Sequence, residues 1–231
     1  FYFLPDISFV MNANLPSLLP RATLTRSLRR LAEAKRNKPK AQHSIIRMMS
    51  PLSLYDGAYL YFVTMSLNNH IPLFKKAIYR DIIISSLLYC INHKALRLFA
   101  YVIMPSHLHM IVFDAEFNND RLHQTLGHFR SFTAHKLVKE LENSNSELLL
   151  KKFMAKKEID RKYRIWMSGY HPIGLTSNDF VSQKFEYIHN NPVKSGLVSD
   201  PAAYSYSSAL YWETGEKGIL PVHDYLDVKS C

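Results

Sequence analysis

Residues 96–104 and 107–113 form two almost uninterrupted apolar runs, rich in β-branched and aromatic side chains, with only Pro105 and Ser106 between them. Runs this short and this apolar read as strands of a buried sheet, and the break between them has room only for a turn or bulge. The chain must therefore fold around two neighbouring strands. The second run opens His107-Leu108-His109. Because side chains alternate across a strand, both imidazoles project from one face, about 6–7 Å apart along the backbone, and Leu108 turns to the other. Taken alone, such a pair is more often two half-exposed histidines on a sheet face than a site. A second motif downstream changes that reading.

Around this centre the periodicity predicts the remaining elements. Residues 59–67 read as a strand ended by Asn68-Asn69, and residues 75–93 as a helix with Ile78, Ile82, Leu87 or Leu88 and Ile91 at helical spacing. Asn119-Asp120 is placed to cap a long helix through Leu122, Leu126, Phe129, Phe132, Leu137 and Leu141. His123, His128 and His135 on that helix do not share one face and read as surface residues. A polar, basic linker follows over 143–163. Residues 163–170 then suit a fourth strand, ended by a turn at Gly169-Tyr-His-Pro172, and Ser177-Asn-Asp179 caps a last helix. The order predicts an α+β fold: a ferredoxin-like split β-α-β-β-α-β antiparallel sheet with helices on one face, plus a C-terminal helix brought across to the histidines.

The net charge of +10 matters through its placement. Residues 21–47 hold nine basic residues against Glu33, and residues 151–164 hold seven against Glu158 and Asp160. The second run is Lys151, Lys152, Lys156, Lys157, Arg161, Lys162 and Arg164, interleaved with Phe153 and Tyr163 and followed by Trp166. Cations that track phosphates and aromatics that stack on bases are the two components of a single-strand binding surface, although a solvated turn explains such a run equally well. Residues 1–50 read as a basic, poorly ordered N-terminal extension. The chain begins with Phe, Met11, Met48 and Met49 are alternative starts, and residues 23–36 suit a short basic amphipathic helix. The domain itself is expected over 51–215, with a tail over 216–231. No apolar run approaches the ~18–20 residues that cross a bilayer. The N-terminus lacks the pattern of a secretion signal, so the cytoplasm is the expected location. Cys90 and Cys231 have no metal-ligand spacing and no disulfide framework.

The second motif is Lys184-Phe-Glu-Tyr187-Ile-His189-Asn-Asn191-Pro192-Val-Lys194-Ser-Gly196. On a helix Tyr187 and Asn191 share a face, while His189 is turned by about 200°. Pro192 disfavours helix at the residue before it, so the helix is expected to stop at Asn191. Together with Met104-Pro-Ser-His-Leu-His109, this motif resembles the REP-associated tyrosine transposases of the HUH endonuclease superfamily, the single-strand insertion-sequence transposases. The resemblance extends over roughly residues 54–212 and includes the Trp166-Met-Ser-Gly-Tyr-His-Pro-Ile turn. It implies a metal-dependent single-stranded DNA endonuclease and strand transferase that works through a 5′-phosphotyrosine. Tyr187 would be the nucleophile and His107, His109 and Asn191 the metal ligands. His189 could be the base that helps the phenol, but its orientation on the helix argues against that and for a supporting, structural role. It implies Mg2+ as the metal, although two imidazoles and an amide oxygen suit Mn2+ or Zn2+ as well. The implied substrate is single-stranded DNA folded into a hairpin beside a short guide sequence. Two other classes stay open: a domesticated hairpin-binding protein with little turnover, and a metal-dependent phosphoesterase using activated water. The short connection before the last helix predicts a site completed within one chain, active as a monomer, with a homodimer as the alternative.

Overall fold

A computed structural model describes residues 60–155 and 162–223. The basic extension over 1–50 lies outside the described residues, as do Lys156, Lys157 and Arg161. Strand β1 (Tyr61–Ser66) is followed by helix α1 (Ala77–His93), then β2 (Leu96–Ile103) and β3 (His107–Asp114). Helix α2 (Asn119–Asn143), the short α3 (Glu147–Lys152), strand β4 (Ile173–Gly174), helix α4 (Asn178–Lys194) and α5 (Ala209–Thr214) complete the order. The sheet runs β2-β3-β1-β4 with every neighbouring pair antiparallel. The β2–β3 break is a tight turn, closed by a 2.8 Å bond from the Met104 N–H to the His107 carbonyl. It is held from outside by the Leu67 N–H on Ser106 O and the Phe74 N–H on Pro105 O.

Alternation divides the core into two layers. Tyr61, Val63 and Met65 of β1 and Leu108, Met110 and Val112 of β3 face α1 and α2, packing against Ile83, Leu87, Leu126 and Phe129. Phe62, Ile111 and Phe113 face the other way, against Val181, Phe185 and Ile188 of α4 and Trp212 of α5. A bulge at Phe99 shifts the register between Leu98 and Ala100, so Phe99 and Ala100 both join this second layer. Helices thus cover both faces. The face opposite α1 and α2 carries α4 and α5.

Four details differ from the sequence expectation. The fourth strand is not 163–170. Trp166 only bridges Leu67, and regular pairing resumes at Ile173 opposite Phe62. From Leu67 back to Phe62 one strand advances five residues and its partner seven, so after the Met167 N–H on Ser66 O the 168–172 segment loops out, with Gly169 in the left-handed region at φ +76° and Pro172 lacking an N–H to pair. Helix α4 does not stop at Asn191 but continues through Pro192 to Lys194. One missing N–H in a last turn is tolerable, and the helix is closed instead by Gly196 at φ +66°, with Gly196 N–H on Val193 O and Leu197 N–H on Pro192 O. The cap of α2 is Asn118, whose side chain accepts from the Arg121 N–H, rather than Asn119-Asp120. The supposed tail from 216 on begins inside the domain: Leu220 is buried in the first layer, and the His223 N–H pairs with Leu98 O on the free edge of β2. Among the described residues no helix is long and apolar enough to cross a membrane.

Candidate active site

The β1–β3 register places Thr64 opposite His109 and Ser66 opposite His107, at the end of the sheet where the β2–β3 turn sits. The two imidazoles meet with ring centroids 4.7 Å apart and planes crossed at 71°. His109 is buried, its Nδ1 2.8 Å from Thr64 Oγ1 and its ring stacked on Phe62 at 5.5 Å. When Nδ1 donates to the threonine oxygen, Nε2 keeps the free lone pair. That nitrogen lies 3.5 Å from the Tyr187 hydroxyl, with the tyrosine ring edge-on to the imidazole at 5.1 Å. His107 is half-buried, with its Nδ1 3.2 Å from Ser106 Oγ and a side-chain hydrogen bond to Asn191.

Helix α4 supplies Tyr187 and Asn191 because it lies on the second layer through Val181, Phe185 and Ile188. Tyr187 and Asn191 share the face turned to the histidines, as their spacing predicts. Asn191 is buried and Tyr187 remains 38% exposed, so solvent and ligand reach the phenol. His189 is turned into the core, its Nε2 2.8 Å from Ser208 Oγ and its ring edge-on to Phe185 at 4.3 Å. It does not face Tyr187. Its place is structural, since Ser208 Oγ also accepts from the Tyr101 N–H and so ties α4 to β2.

Electrostatics set the protonation of this cluster. Burial, then the neighbouring His107 and Lys184, push His109 down to about 3. Burial and the nearby His70 lower His107, against the raising effect of its hydrogen bond to Asn191. Both imidazoles are therefore neutral at neutral pH and have lone pairs to give to a cation. Among the described residues no group of three His, Cys, Asp or Glu side chains is gathered to hold a metal. A metal here is left with two imidazoles and the Asn191 amide, a donor set that fits a divalent cation with open positions.

Three neighbours of the site escaped the sequence reading. His70 follows Asn69 in a turn where both residues are left-handed, at φ +50° and +56°, an uncommon arrangement for non-glycine residues. Lys184 Nζ lies over the rings of Phe62, Phe180 and Tyr187 at 4.9, 5.4 and 5.9 Å, and Lys194 Nζ lies 5.8 Å from the Tyr187 ring. A stripe of 184, 187, 191 and 194 at helical spacing was the available signal.

The basic run divides. Lys151, Lys152 and Lys162 are exposed and Arg164 is half-buried. Trp166 is not a stacking surface: it is 5% exposed in the first layer, with its indole N–H on Thr133 Oγ1. Phe153 is fully buried as well. The run nevertheless adjoins the site, because the Asn69 side chain donates to the Lys152 carbonyl at 3.0 Å and the Asn68 N–H to Ile165 O at 2.7 Å. The end of α3 is thus linked through the Asn68–His70 turn to His107.

No family model and no curated protein matches the sequence. Among solved structures, a REP-associated tyrosine transposase bound to a REP hairpin superposes with a TM-score of 0.51 at 17% identity, over 77% of this chain and 93% of that one. The two proteins share a fold: an α+β unit built on a four-stranded antiparallel sheet.

Proposed function

We propose that the protein is a transposase of the REP-associated tyrosine class, which nicks and rejoins single-stranded DNA at a hairpin through Tyr187. The observation that carries the reading is the partly exposed Tyr187 hydroxyl standing 3.5 Å from Nε2 of a buried imidazole that pairs with a second one. The fold shared with a transposase solved on a REP hairpin supports it. An imidazole held at about 3 is a poor general base at neutral pH, so His109 serves as a ligand rather than as the group that deprotonates the phenol. His107, His109 and Asn191 would hold a divalent cation, Mg2+ or Mn2+, which when bound polarises a phosphodiester oxygen.

Tyr187 attacks phosphorus. The Oη–P bond forms, the P–O3′ bond breaks, the 3′-hydroxyl leaves with a proton, and the phenolic proton passes to the solvent that reaches the ring. One phosphodiester replaces another, so the reverse attack by a 3′-hydroxyl rejoins strands without ATP. The exposed cations Lys151, Lys152 and Lys162, together with Arg164, carry the flanking DNA toward the site along the Asn68–His70 turn, and Lys156, Lys157 and Arg161 add to the charge of the same run. A labelled hairpin substrate incubated with Mg2+ or Mn2+ should yield a denaturation-resistant protein–DNA adduct that Tyr187→Phe abolishes. An adduct of undiminished yield in that variant refutes the assignment. Neutralising Lys151, Lys152, Lys156 and Lys157 together should weaken binding and flatten its salt dependence, while deletion of residues 1–47 leaves cleavage in place.

A further inference from the structure

Lys184, Tyr187, Asn191 and Lys194 occupy one stripe of α4, at intervals of three, four and three residues. The two lysines begin about 15 Å apart along the helix axis. Both nevertheless lean inward, so that each ammonium lies within 6 Å of the same tyrosine ring. Neither forms an ion pair with a carboxylate among the described residues. Aromatic faces attract a cation without directional hydrogen bonds, whereas a phosphate oxygen accepts charge-assisted ones, so an arriving anion outcompetes the rings. The two differ in setting. Lys184 is half-buried among Phe62, Phe180 and Tyr187, whereas Lys194 is exposed in the last turn of the helix. A half-desolvated cation with no counter-ion among the described residues, beside a nucleophile that attacks phosphorus, matches one ligand chemistry: a phosphodiester.

We propose that Lys184 binds the phosphate that Tyr187 attacks and Lys194 an adjacent phosphate of the same strand, so that α4 clamps the DNA from both ends of its nucleophile. This inference rests on the transposase reading and deepens it. It divides the work between a half-buried lysine that positions the reacting phosphate and an exposed one that adds affinity. The DNA would then run from the basic run near Lys152, past His70 and the histidine pair, and onto α4.

The test compares the full-length chain with Lys184→Gln, Lys184→Arg, Lys194→Gln and, as a charge-matched control, Lys139→Gln on the exposed side of α2. Two quantities are measured on a fluorescent DNA hairpin with a single-stranded flank: the slope of log K against log salt, and the rate of adduct formation at saturating DNA. Each Gln variant on α4 should lose about 0.7 of slope, the share of one contact to single-stranded DNA, with Lys139→Gln unchanged. At saturation Lys184→Gln should be slower by about 10²-fold, the scale of a lost transition-state donor. Lys194→Gln should be slowed much less, and Lys184→Arg should recover most of the rate. Slopes that match wild type in both variants overturn the clamp. A saturated rate unchanged in Lys184→Gln overturns its placement on the reacting phosphate. If the wild-type chain binds the hairpin but forms no adduct, the transposase reading fails, and the slopes still decide whether the two lysines hold phosphate.

Discussion

Tyr187 and His189 are two residues apart on α4, and the structure assigns them opposite consequences. His189→Ala removes a ring buried among Phe185, Ser208 and the second core layer. The cavity left is roughly 60 Å3, which at about 24 cal/mol per Å3 costs near 1.5 kcal/mol. The lost hydrogen bond to Ser208 adds about 1 kcal/mol and the edge-on contact with Phe185 about 0.5 kcal/mol more, for a total near 3 kcal/mol. Ser208 keeps its Tyr101 partner, so no orphaned polar group raises the figure. Tyr187→Phe removes only a hydroxyl that is partly exposed and 3.5 Å from its neighbour, a change of less than about 0.5 kcal/mol. Urea unfolding followed by circular dichroism measures both, and adduct formation is scored well below each midpoint. The expected result is a clean crossing: His189→Ala much less stable yet able to form the adduct, Tyr187→Phe as stable as wild type and inert. If His189→Ala matched wild type in stability while losing the adduct, His189 would belong to the chemistry, and the orientation argument for α4 would be wrong.

Trp166→Ala should cost about 3–5 kcal/mol, because it empties a core position, with Thr133 Oγ1 keeping its bond to the Phe129 carbonyl, while the salt dependence of DNA binding stays as in wild type; a stable variant with a reduced slope would return Trp166 to the DNA surface. Acid should weaken the fold early. His109 and His189 are both pushed down to about 3, chiefly by burial, against about 6.5 unfolded, so between those values the unfolded chain binds more protons and stability falls as pH drops, by up to about 1.4 kcal/mol per unit for each group. Unfolding free energies from urea titrations at pH 5 and 7.5 should therefore differ by roughly 2–4 kcal/mol, and equal free energies would contradict the burial of neutral imidazoles. Gly196→Ala should cost about 1 kcal/mol by the same assay, since φ at +66° closes α4 although no atom crowds the missing Cβ.

The strands at β2 and β3 and helices α1 and α2 were legible because their periodicity is strong and their neighbours are close in sequence. The histidine pair followed from the strand and the shared face of Tyr187 and Asn191 from helical spacing, whereas their meeting was what the family resemblance implied. Edge pairing was not legible: with Trp166 bridging Leu67, the Met167 N–H on Ser66 O, and then Ile173 and Gly174 opposite β1, no alternation builds up over 163–174 to mark where pairing stops and restarts. Pro192 misled because the rule against helix before proline is a bias, and Gly196 five residues past Asn191 provided the stronger stop. Trp166 misled because a basic neighbourhood suggests DNA for any aromatic within it, whereas burial depends on Thr133 and Phe74, which are distant in sequence. Lys184 and Lys194 belong to no charge run. Their meaning comes from the ring between them.

Whether α4 serves its own histidines or those of a second chain turns on how firmly it is held. The structure shortens the connection that the sequence suggested. Strand β4 ends at Gly174 and α4 begins at Asn178, so only residues 175–177 lie between them, a reach of about 10 Å. That link is itself fixed, since Leu175 is buried and its N–H donates to the Leu60 carbonyl at 2.8 Å. Exchange would have to lift Val181, Phe185, Ile188 and His189 off the sheet and break the contact of Phe185 with Trp212. At about 1.5–3 kcal/mol for each large apolar side chain uncovered, the transition is costly unless an identical layer receives the helix at once. We therefore expect each chain to complete its own site. Mixing Tyr187→Phe with His107→Ala/His109→Ala chains should leave cleavage absent, because neither chain then carries both halves. Recovery of adduct in the mixture, on the chain that retains Tyr187, requires a site shared between subunits and would show that α4 crosses over despite its short tether.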